Sequence, residues 1–409
     1  PSWNQPNREA RGWRTSGQNK PRLDVVIFPY HHSLMPLLEE STQRKEIQAY
    51  QHTYTQAWGT SAPMSKGFFP SEMAFSERLV KVLDQEGIDW SIVSAEKISR
   101  ACEDFPVVLG SGGVNCEPPN LADMINPAQG AGAYYRVQIS RGCAPAEAYP
   151  FALTPRRVRY ADPASNPDSP TLYEIIAVPA SQSVSWEDGY NPLGTQHFQA
   201  LQTRNNPSRP MLVTLAHDGD NAFGGGFSYY LEATPNLVSS AQSQGFHATV
   251  VEEYLADHPV PASDVVHVED GAWVNADGDF GSPTFLNWNY PPVNAQGQVD
   301  IENGWAEDIR NWAVITAAQN HVDTAEQISS DNGLPVRIAD VVSPSGSSRP
   351  AERAWHFFLG ALNSGYMYYG TALDFEVKPT IACNEALQHT AQVIPTGVDH
   401  TPPTIWIPQ

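Results

Sequence analysis

The chain has 409 residues and a formal net charge of −21. This acidity argues against a polyanionic partner such as nucleic acid, because the electrostatic attraction has the wrong sign. No run of about 18 apolar residues occurs, so no membrane-spanning helix is expected. A neutral substrate fits this composition better. The length predicts one large domain with an accessory one, or a barrel with insertions.

The cysteine pattern bears on the compartment of the protein. The four cysteines, Cys102, Cys116, Cys143 and Cys383, lack the short spacings typical of zinc sites. Their even number, with few lysines and many Asn, Gln, Ser and Pro, favours an extracellular protein with one or two disulfides; buried free thiols are the alternative. The chain starts at Pro1 without a Met or an apolar leader, so we expect a secreted protein whose signal peptide is already removed.

The first part of the chain predicts alternating strands and helices. The Val/Ile/Phe run of Arg22–Tyr30 predicts a strand, and the spacing of Arg44–Gly59 predicts a helix. "KGFFPSE" then predicts a strand end, and "AFSERLVKVLDQEG" predicts an amphipathic helix that stops at Gly87. Ile88–Ser94 follows as the next predicted strand. This βαβαβ order indicates a parallel sheet with right-handed crossovers.

The alternation is interrupted from about Cys102 to Arg209. This segment is rich in Pro, Gly, Asn and Ser, and we interpret it as a long insertion, partly β, that shapes a site. The pattern resumes with a buried strand over Pro210–Gly226, a helix in "ATPNLVSSAQSQG", and a strand and helix in "FHATVVEEYLADHP". From Trp305 onwards, two long segments with three- and four-residue apolar spacing predict helices.

Two acidic residues share one context, at the ends of predicted parallel strands. Glu72 follows "KGFFPS" and Asp218 lies in "LAHDGDN", which would place both on the barrel face where active-site loops converge. Retaining glycosidases need two carboxyl groups about 5–5.5 Å apart: one attacks the anomeric carbon and the other protonates the leaving oxygen. Structural alternatives stay open, since Glu72 could cap the following helix and Asp218 could belong to a turn or a calcium loop.

Four stretches in matching order resemble glycoside hydrolase family 57 and its sister family 119, which act on α-glucans. In this chain they read "FPYHHSLMPLL", "GFFPSEMAFSERLVKVLDQEGIDW", "LAHDGDNAFG" and "AERAWHFFLGALNSGYMYYG". A fifth stretch, "DGAWVNADGDFGSPTFLNW", is similar to the family's Gly-Ser-Trp loop. The long segment between the second and third stretches resembles family 119 more closely. The first family motif, a His-Gln-Pro segment, is not found upstream of Arg22, so the first barrel strand is expected to be missing or supplied differently.

The resemblance implies a role for each matching residue. Glu72 corresponds to the nucleophile and Asp218 to the general acid/base, with His32 near the reaction centre. The other implied substrate-binding residues are His217, Asp220, Trp273, Trp288 and Trp355, the tryptophans as platforms or as walls of sugar subsites. A lone histidine such as His217 is often structural. The chain has 11 Trp, and burial in the core is the common alternative for each.

The resemblance also implies a fold: an α/β, distorted (β/α)7-type barrel with a long insertion, followed by a small helical domain. The barrel would cover residues 1–304 with the insertion at about 102–209, and the helical domain residues 305–395. Residues 396–409 look like a linker entering a β module. The implied activity is retaining hydrolysis of internal α-1,4-glucosidic bonds in starch-like poly- or oligosaccharides. It needs no cofactor, and a structural calcium is the single metal considered.

Three other functions stay open. A polysaccharide deacetylase on a similar barrel would need an Asp and a His-x-x-x-His metal site. That spacing does not occur, since His31 and His32 are adjacent and His52 stands alone. A non-catalytic carbohydrate-binding barrel would keep the cleft but would need neither carboxylate. A hydrolase of the same superfold could instead act on other sugars, such as α-mannosides or α-galactosides.

Overall fold

The computed structural model describes residues 4–106, 121–136, 146–182, 184–185, 188, 193–216, 230–272, 306–368 and 373–403. The chain divides into two compact units. Unit 1 comprises Pro1–Val26, Thr60–Phe69 and Phe75–Phe285, and unit 2 comprises Ile27–Gly59, Pro70–Ala74 and Leu286–Gln409. Unit 2 therefore contains the predicted helical segments after Trp305 together with the short segment that carries Glu72.

The strands, all in unit 1, are β1 Gly67–Phe68, β2 Trp90–Ser94, β3 Tyr134–Arg136, β4 Ala146–Ala148, β5 Arg156–Ala161 and β6 Leu172–Ala180. The helices of unit 1 are α1 Gln5–Ala10, α3 Leu79–Gln85, α4 Ala95–Arg100, α5 Gln196–Gln202, α6 Tyr230–Ser243 and α7 Val251–Asp257. The helices of unit 2 are α2 Glu40–Trp58, α8 Ala306–Asp331, α9 Ile338–Val342, α10 Pro350–Gly360, α11 Ser364–Tyr368 and α12 Leu373–Thr390.

A four-stranded sheet in the order β1-β2-β6-β5 forms the centre of unit 1. β1, β2 and β6 are parallel, and β5 is antiparallel to β6. The predicted parallel sheet is thereby confirmed, and all five residues of β2 are buried, as expected of a central parallel strand. β6 lies inside the predicted insertion, which therefore contributes a strand to the main sheet. Among the described residues this sheet does not close into a barrel.

The contact between β1 and β2 explains a glycine in the second matching stretch. A Cβ atom at Gly67 would lie 2.1 Å from the ring of Trp90, so any larger residue would displace that indole. The indole in turn donates from Nε1 to Glu252 Oε1 at 2.8 Å. The intervening helix α3 stops as predicted before Gly87, whose φ of 76° is a left-handed conformation that favours glycine.

Some predicted strands do not form. Within Arg22–Tyr30, Ile27 is the one residue that the described structure places in a β-bridge, so the run is not a regular strand. In Pro210–Gly226, the described part pairs with β6 through the single contact of Thr214 with Ala180. Residues 246–250 also lack strand pairing. An apolar sequence pattern does not by itself form a strand, because a ladder of backbone hydrogen bonds also needs a partner segment in register.

Unit 2 is built from helices packed on helices. α8, α10 and α12 contact one another, and α9 packs against both α10 and α2. One of its apolar clusters consists of Ala325, Ile328, Ala351 and Val393. Helix α2 ends at Gly59, with φ of 72°, as its sequence predicts. The helical segments predicted after Trp305 and Arg349 both form.

The cysteines do not follow the disulfide prediction where the structure describes them. Cys102 and Cys383 are buried free thiols, so a disulfide through either is contradicted. Burial raises the pKa of each thiol to about 12, which makes both poor nucleophiles. Cys116 and Cys143 lie outside the described residues. Within the described part of the chain, no helix is long and apolar enough to cross a bilayer.

Candidate active site

Glu72 lies in a short turn, Ser71–Met73, which follows β1 in the chain. Its φ of 56° and ψ of 24° are left-handed, and Met73 has φ of 53°. Such a backbone costs a residue with a side chain roughly 1–2 kcal/mol, and strain of this kind concentrates at functional sites. Helix α3 begins only at Leu79, so Glu72 does not cap it and the simple structural alternative is excluded.

The carboxylate of Glu72 is part of a polar group of three side chains in unit 2. Ser364 Oγ lies 3.4 Å from Glu72 Oε1 and 2.6 Å from His32 Nδ1. His32 Nδ1 is 3.9 Å from the same carboxylate oxygen. The Glu72 side chain is 9% exposed and that of His32 is 37% exposed. The structure thus brings two of the predicted site residues together and adds Ser364.

The backbone around His32 is held by a buried acid on helix α2. The Glu46 carboxylate, which is fully buried, accepts a hydrogen bond from the His31 backbone N–H at 2.8 Å. It also accepts from Ser33 Oγ at 3.3 Å, and its second oxygen lies 2.8 Å from His31 Nδ1. His32 itself has φ of 59°, a third left-handed non-glycine residue in this region. Glu46 therefore stabilises a turn that the chain would not adopt unaided.

The start of helix α11 fixes the other side of this turn. Asn363 Nδ2 donates to the His31 carbonyl at 3.1 Å, and the Ser364 N–H donates to the His32 carbonyl at 2.9 Å. Ser33 and Asn363 also pair as a single antiparallel bridge. The three-residue group of Glu72, His32 and Ser364 is therefore set by backbone hydrogen bonds as well as by its own side chains.

Trp355 does not have the stacking role that the resemblance implies. Its side chain is 0% exposed on helix α10. It contacts Phe358 edge-on, with ring centroids 5.8 Å apart, and the Lys45 ammonium lies 5.3 Å from its ring centre. A sugar cannot stack on a ring that is enclosed in this way. The three-residue spacing of Trp355 and Phe358 places both on the core face of the helix.

The remaining predicted site residues lie outside the described residues: Asp218, His217, Asp220, Trp273 and Trp288. The described residues contain no group of three or more His, Cys, Asp or Glu side chains arranged to hold a metal ion. A structural calcium therefore stays a prediction.

Unit 1 contains a second acidic group, which we call the Glu96 pair: Glu96 in helix α4, which follows β2, and Glu147 in β4. Glu147 accepts hydrogen bonds from Ser181 Oγ at 2.7 and 2.9 Å and from the Tyr149 hydroxyl at 3.3 Å. Neither carboxyl oxygen of Glu96 has a partner among the described residues. Burial, and then the charge of Glu147, raise the pKa of Glu96 well above its ordinary value. Burial and the neighbouring carboxylate therefore both favour the protonated form of Glu96.

The sequence contained only weak signals for the residues that were missed. Ser364 lies within "ALNSGYMYYG", the last of the matching stretches, but a serine in a helix start is usually read as a cap. Glu46 follows a lysine inside a regular helical pattern, where a glutamate is normally exposed. Glu96 opens a short helix and has the same ambiguity.

Comparisons with known proteins show what this part of the chain is similar to. Residues 14–117, which include His32, Glu72 and the following helix and strand, match the model of glycosyl hydrolase family 57. The chain is 30% identical over 469 aligned positions to an alpha-amylase of Niallia circulans. That alignment covers 100% of this chain and 36% of the relative, so the chain spans about a third of the relative's length.

Among solved structures, the chain is similar to a 4-alpha-glucanotransferase from Thermococcus litoralis, with a TM-score of 0.52 and 11% sequence identity. The match covers 90% of this chain and 48% of that one. At this identity the likeness concerns the fold alone. It agrees with the mixed α/β architecture and its parallel sheet, while the family model and the amylase relative support the predicted resemblance to family 57.

Proposed function

We propose that this chain carries the catalytic part of a retaining glycoside hydrolase that cleaves internal α-1,4 bonds of starch-like α-glucans. The observation that carries the proposal is the position of Glu72. It sits in a left-handed turn inside the stretch that matches family 57, with a hydroxyl and a half-exposed histidine beside its carboxylate. The similarity to an alpha-amylase over the whole chain supports a glycoside hydrolase that acts on α-glucans.

In this mechanism Glu72 is the nucleophile and Asp218 the general acid/base. Glu72 attacks C1 of the sugar while Asp218 protonates the leaving oxygen, which gives a covalent glycosyl-enzyme. Asp218 then takes a proton from water, and that water attacks C1 and releases Glu72. Two inversions at C1 retain the α configuration. The step needs an ionised and oriented Glu72, and a neighbouring hydroxyl donor serves both needs.

The proposal also has finer parts. A distorted (β/α)7-type barrel, a closer relation to family 119, secretion, and roles for His217, Asp220, Trp273 and Trp288 follow from motif resemblance, spacing and composition. They belong to the proposal as expectations about the same enzyme.

The test is the stereochemistry of hydrolysis. The 409-residue chain is mixed with a malto-oligosaccharide, and the new reducing ends are followed by proton NMR. We expect the α anomer first and the β anomer only later, by mutarotation. Asp218→Asn should lower kcat by roughly 10²–10⁴-fold, the usual size of general acid–base catalysis, whereas the exposed Asp168→Asn serves as a control and should not.

Each other outcome points to a named alternative. Initial β anomer would contradict the retaining mechanism. Release of acetate from acetylated polysaccharide without glycosidic cleavage would favour a deacetylase. Binding of malto-oligosaccharide without turnover would favour a carbohydrate-binding barrel.

A further inference from the structure

We infer that Ser364 is a positioning residue, which orients the carboxylate of Glu72 and sets the tautomer of His32. The inference rests on the proposed function, because it assigns Ser364 a part in presenting the nucleophile. Ser364 itself touches neither substrate nor reacting atoms. It acts through its hydroxyl on the two side chains that do.

The hydrogen-bonding capacity of a serine hydroxyl restricts how the three groups connect. Ser364 has one O–H to donate and lone pairs that accept. Glu72, when ionised, can only accept, so a hydrogen bond between them must run from Ser364 Oγ to Glu72 Oε1, across 3.4 Å. Ser364 Oγ then has to accept from His32 Nδ1, 2.6 Å away. In this arrangement His32 therefore carries a proton on Nδ1.

Burial of Ser364 favours these hydrogen bonds over bonds to water. Ser364 is 1% exposed, so bulk water does not compete for its hydroxyl. A buried hydroxyl that loses its partners costs about 1–3 kcal/mol. The main-chain N–H of Ser364 is already used, donating to the His32 carbonyl at 2.9 Å. Backbone and side chain of one residue thus hold His32 at two points.

The consequence for catalysis concerns the orientation and charge of the Glu72 carboxylate. A donor on Oε1 restrains rotation of that carboxylate. It also favours the ionised form, since a hydrogen bond to a charged acceptor stabilises that charge. Loss of the donor should therefore lower kcat more than it changes KM, because orientation is needed in the transition state rather than for binding.

The experiment compares three variants of the full chain on a malto-oligosaccharide. Ser364→Ala removes the hydroxyl, and we expect kcat to fall roughly 10-fold or more, with KM nearly constant and the acidic limb of the pH profile moved to higher pH. Ser364→Thr keeps a hydroxyl and should restore most of the activity.

The matched control is Ser71→Ala. Ser71 is also 1% exposed, stands next to Glu72 in the chain, and its hydroxyl has no partner among the described residues. Ser71→Ala removes a buried serine hydroxyl close to Glu72 in the chain, but it leaves the hydrogen bonds between Ser364, Glu72 and His32 in place. We expect it to behave like the wild type.

A second readout does not depend on activity. ¹⁵N NMR of histidine-labelled protein reports the tautomer of His32, identified by its absence in His32→Gln. Ser364→Ala should shift the His32 Nδ1 signal and its titration, and Ser71→Ala should shift neither. An active Ser364→Ala enzyme with wild-type kcat, or an unchanged His32 spectrum, overturns the inference. A wild-type chain that does not cleave α-glucans overturns the proposed function instead, and the NMR comparison then still decides whether Ser364 controls His32.

Discussion

Two acidic residues of the molecule, Glu72 in unit 2 and Glu96 in unit 1, follow buried strands in the chain and yet have opposite surroundings. Glu72 has a hydroxyl 3.4 Å away and a histidine with 37% of its side chain exposed. Glu96 is 1% exposed and neither of its oxygens has a partner in the described structure. Its pKa is raised, first by burial and then by Glu147.

The difference shows why burial alone does not mark a catalytic acid. A nucleophile must stay ionised, so it needs donors, and it must reach substrate, so its surroundings cannot be closed. Glu72 meets both conditions through Ser364 and His32. Glu96 meets neither, and its raised pKa reflects a desolvated carboxyl beside another carboxylate. A general acid also needs a raised pKa, so a catalytic role for Glu96 has to be tested against the role of Glu72.

The largest expected effect comes from paired Glu→Gln substitutions. Glu72→Gln should lower kcat by at least about 1,000-fold, because it removes the group that forms the covalent intermediate. Its melting temperature should stay nearly unchanged. Glu96→Gln should retain activity close to that of the wild type. Steady-state rates on a malto-oligosaccharide check both, and a loss in Glu96→Gln as deep as in Glu72→Gln would make Glu96 part of the chemistry.

A smaller effect concerns stability against pH. Because the pKa of Glu96 is raised on folding, the folded chain holds a proton that the unfolded chain releases. The contribution of Glu96 to the free energy of unfolding is complete below the pKa of an ordinary glutamate, about 4.3. It is lost as pH rises through the pKa of Glu96 in the folded chain. Glu96→Gln removes this dependence, so it should gain in melting temperature over the wild type as pH rises from 4.5 to 8. The exposed Glu103→Gln is the control, and parallel melting curves for Glu96→Gln and wild type would contradict the assignment.

The smallest expected effect concerns His267 in unit 1, a partly buried titratable group that, unlike Glu96, has charged hydrogen-bond partners in the described structure. His267 Nδ1 lies 2.9 Å from Glu77 and its Nε2 lies 3.1 Å from Asp123. Burial by itself lowers the pKa of His267, but these two carboxylates outweigh it and raise the pKa to about 9. The stabilisation is present below about pH 6.5 and lost as pH rises through about 9.

Loss of this charged contact should be visible in thermal unfolding. His267→Gln should cost about 1 kcal/mol of unfolding free energy near pH 6 and little at pH 10, since the side chains are partly exposed. The exposed His247→Gln is the matched control. A destabilisation of His267→Gln that is equal at both pH values would show that packing, rather than charge, holds His267.

Local features of the fold could be predicted from the sequence, and long-range pairing could not. β1, α3 and β2 follow from an apolar run, a helical period and Gly87, all within one short stretch. Over the predicted strand Arg22–Tyr30, the described structure places only Ile27 in a β-bridge, so an apolar run by itself did not predict a regular ladder. β6 was assigned to an insertion because Pro and Gly surround it, although its pairing with β2 makes it central.

The residues of the candidate site also fall into those that local sequence motifs predicted and those that depend on long-range contacts. Glu72 and His32 were found by the motifs that carry them. Ser364 was not singled out, because its contact with His32 joins residues 332 positions apart, and no local pattern encodes it. Trp355 was assigned to substrate because the stretch that carries it resembles the family, but its side chain is buried in the core, in line with its apolar spacing along α10. Residue type indicates what chemistry is available, while burial decides whether it is accessible.

The most direct test of the central claim is to trap the covalent intermediate. The chain is incubated with a 5-fluoro-α-maltosyl fluoride, and its proteolytic peptides are analysed by mass spectrometry. We predict a single maltosyl adduct on Glu72, lost in Glu72→Gln and retained in Glu96→Gln. An adduct on a different carboxylate, or none on a chain that hydrolyses α-glucans, would contradict Glu72 as the nucleophile.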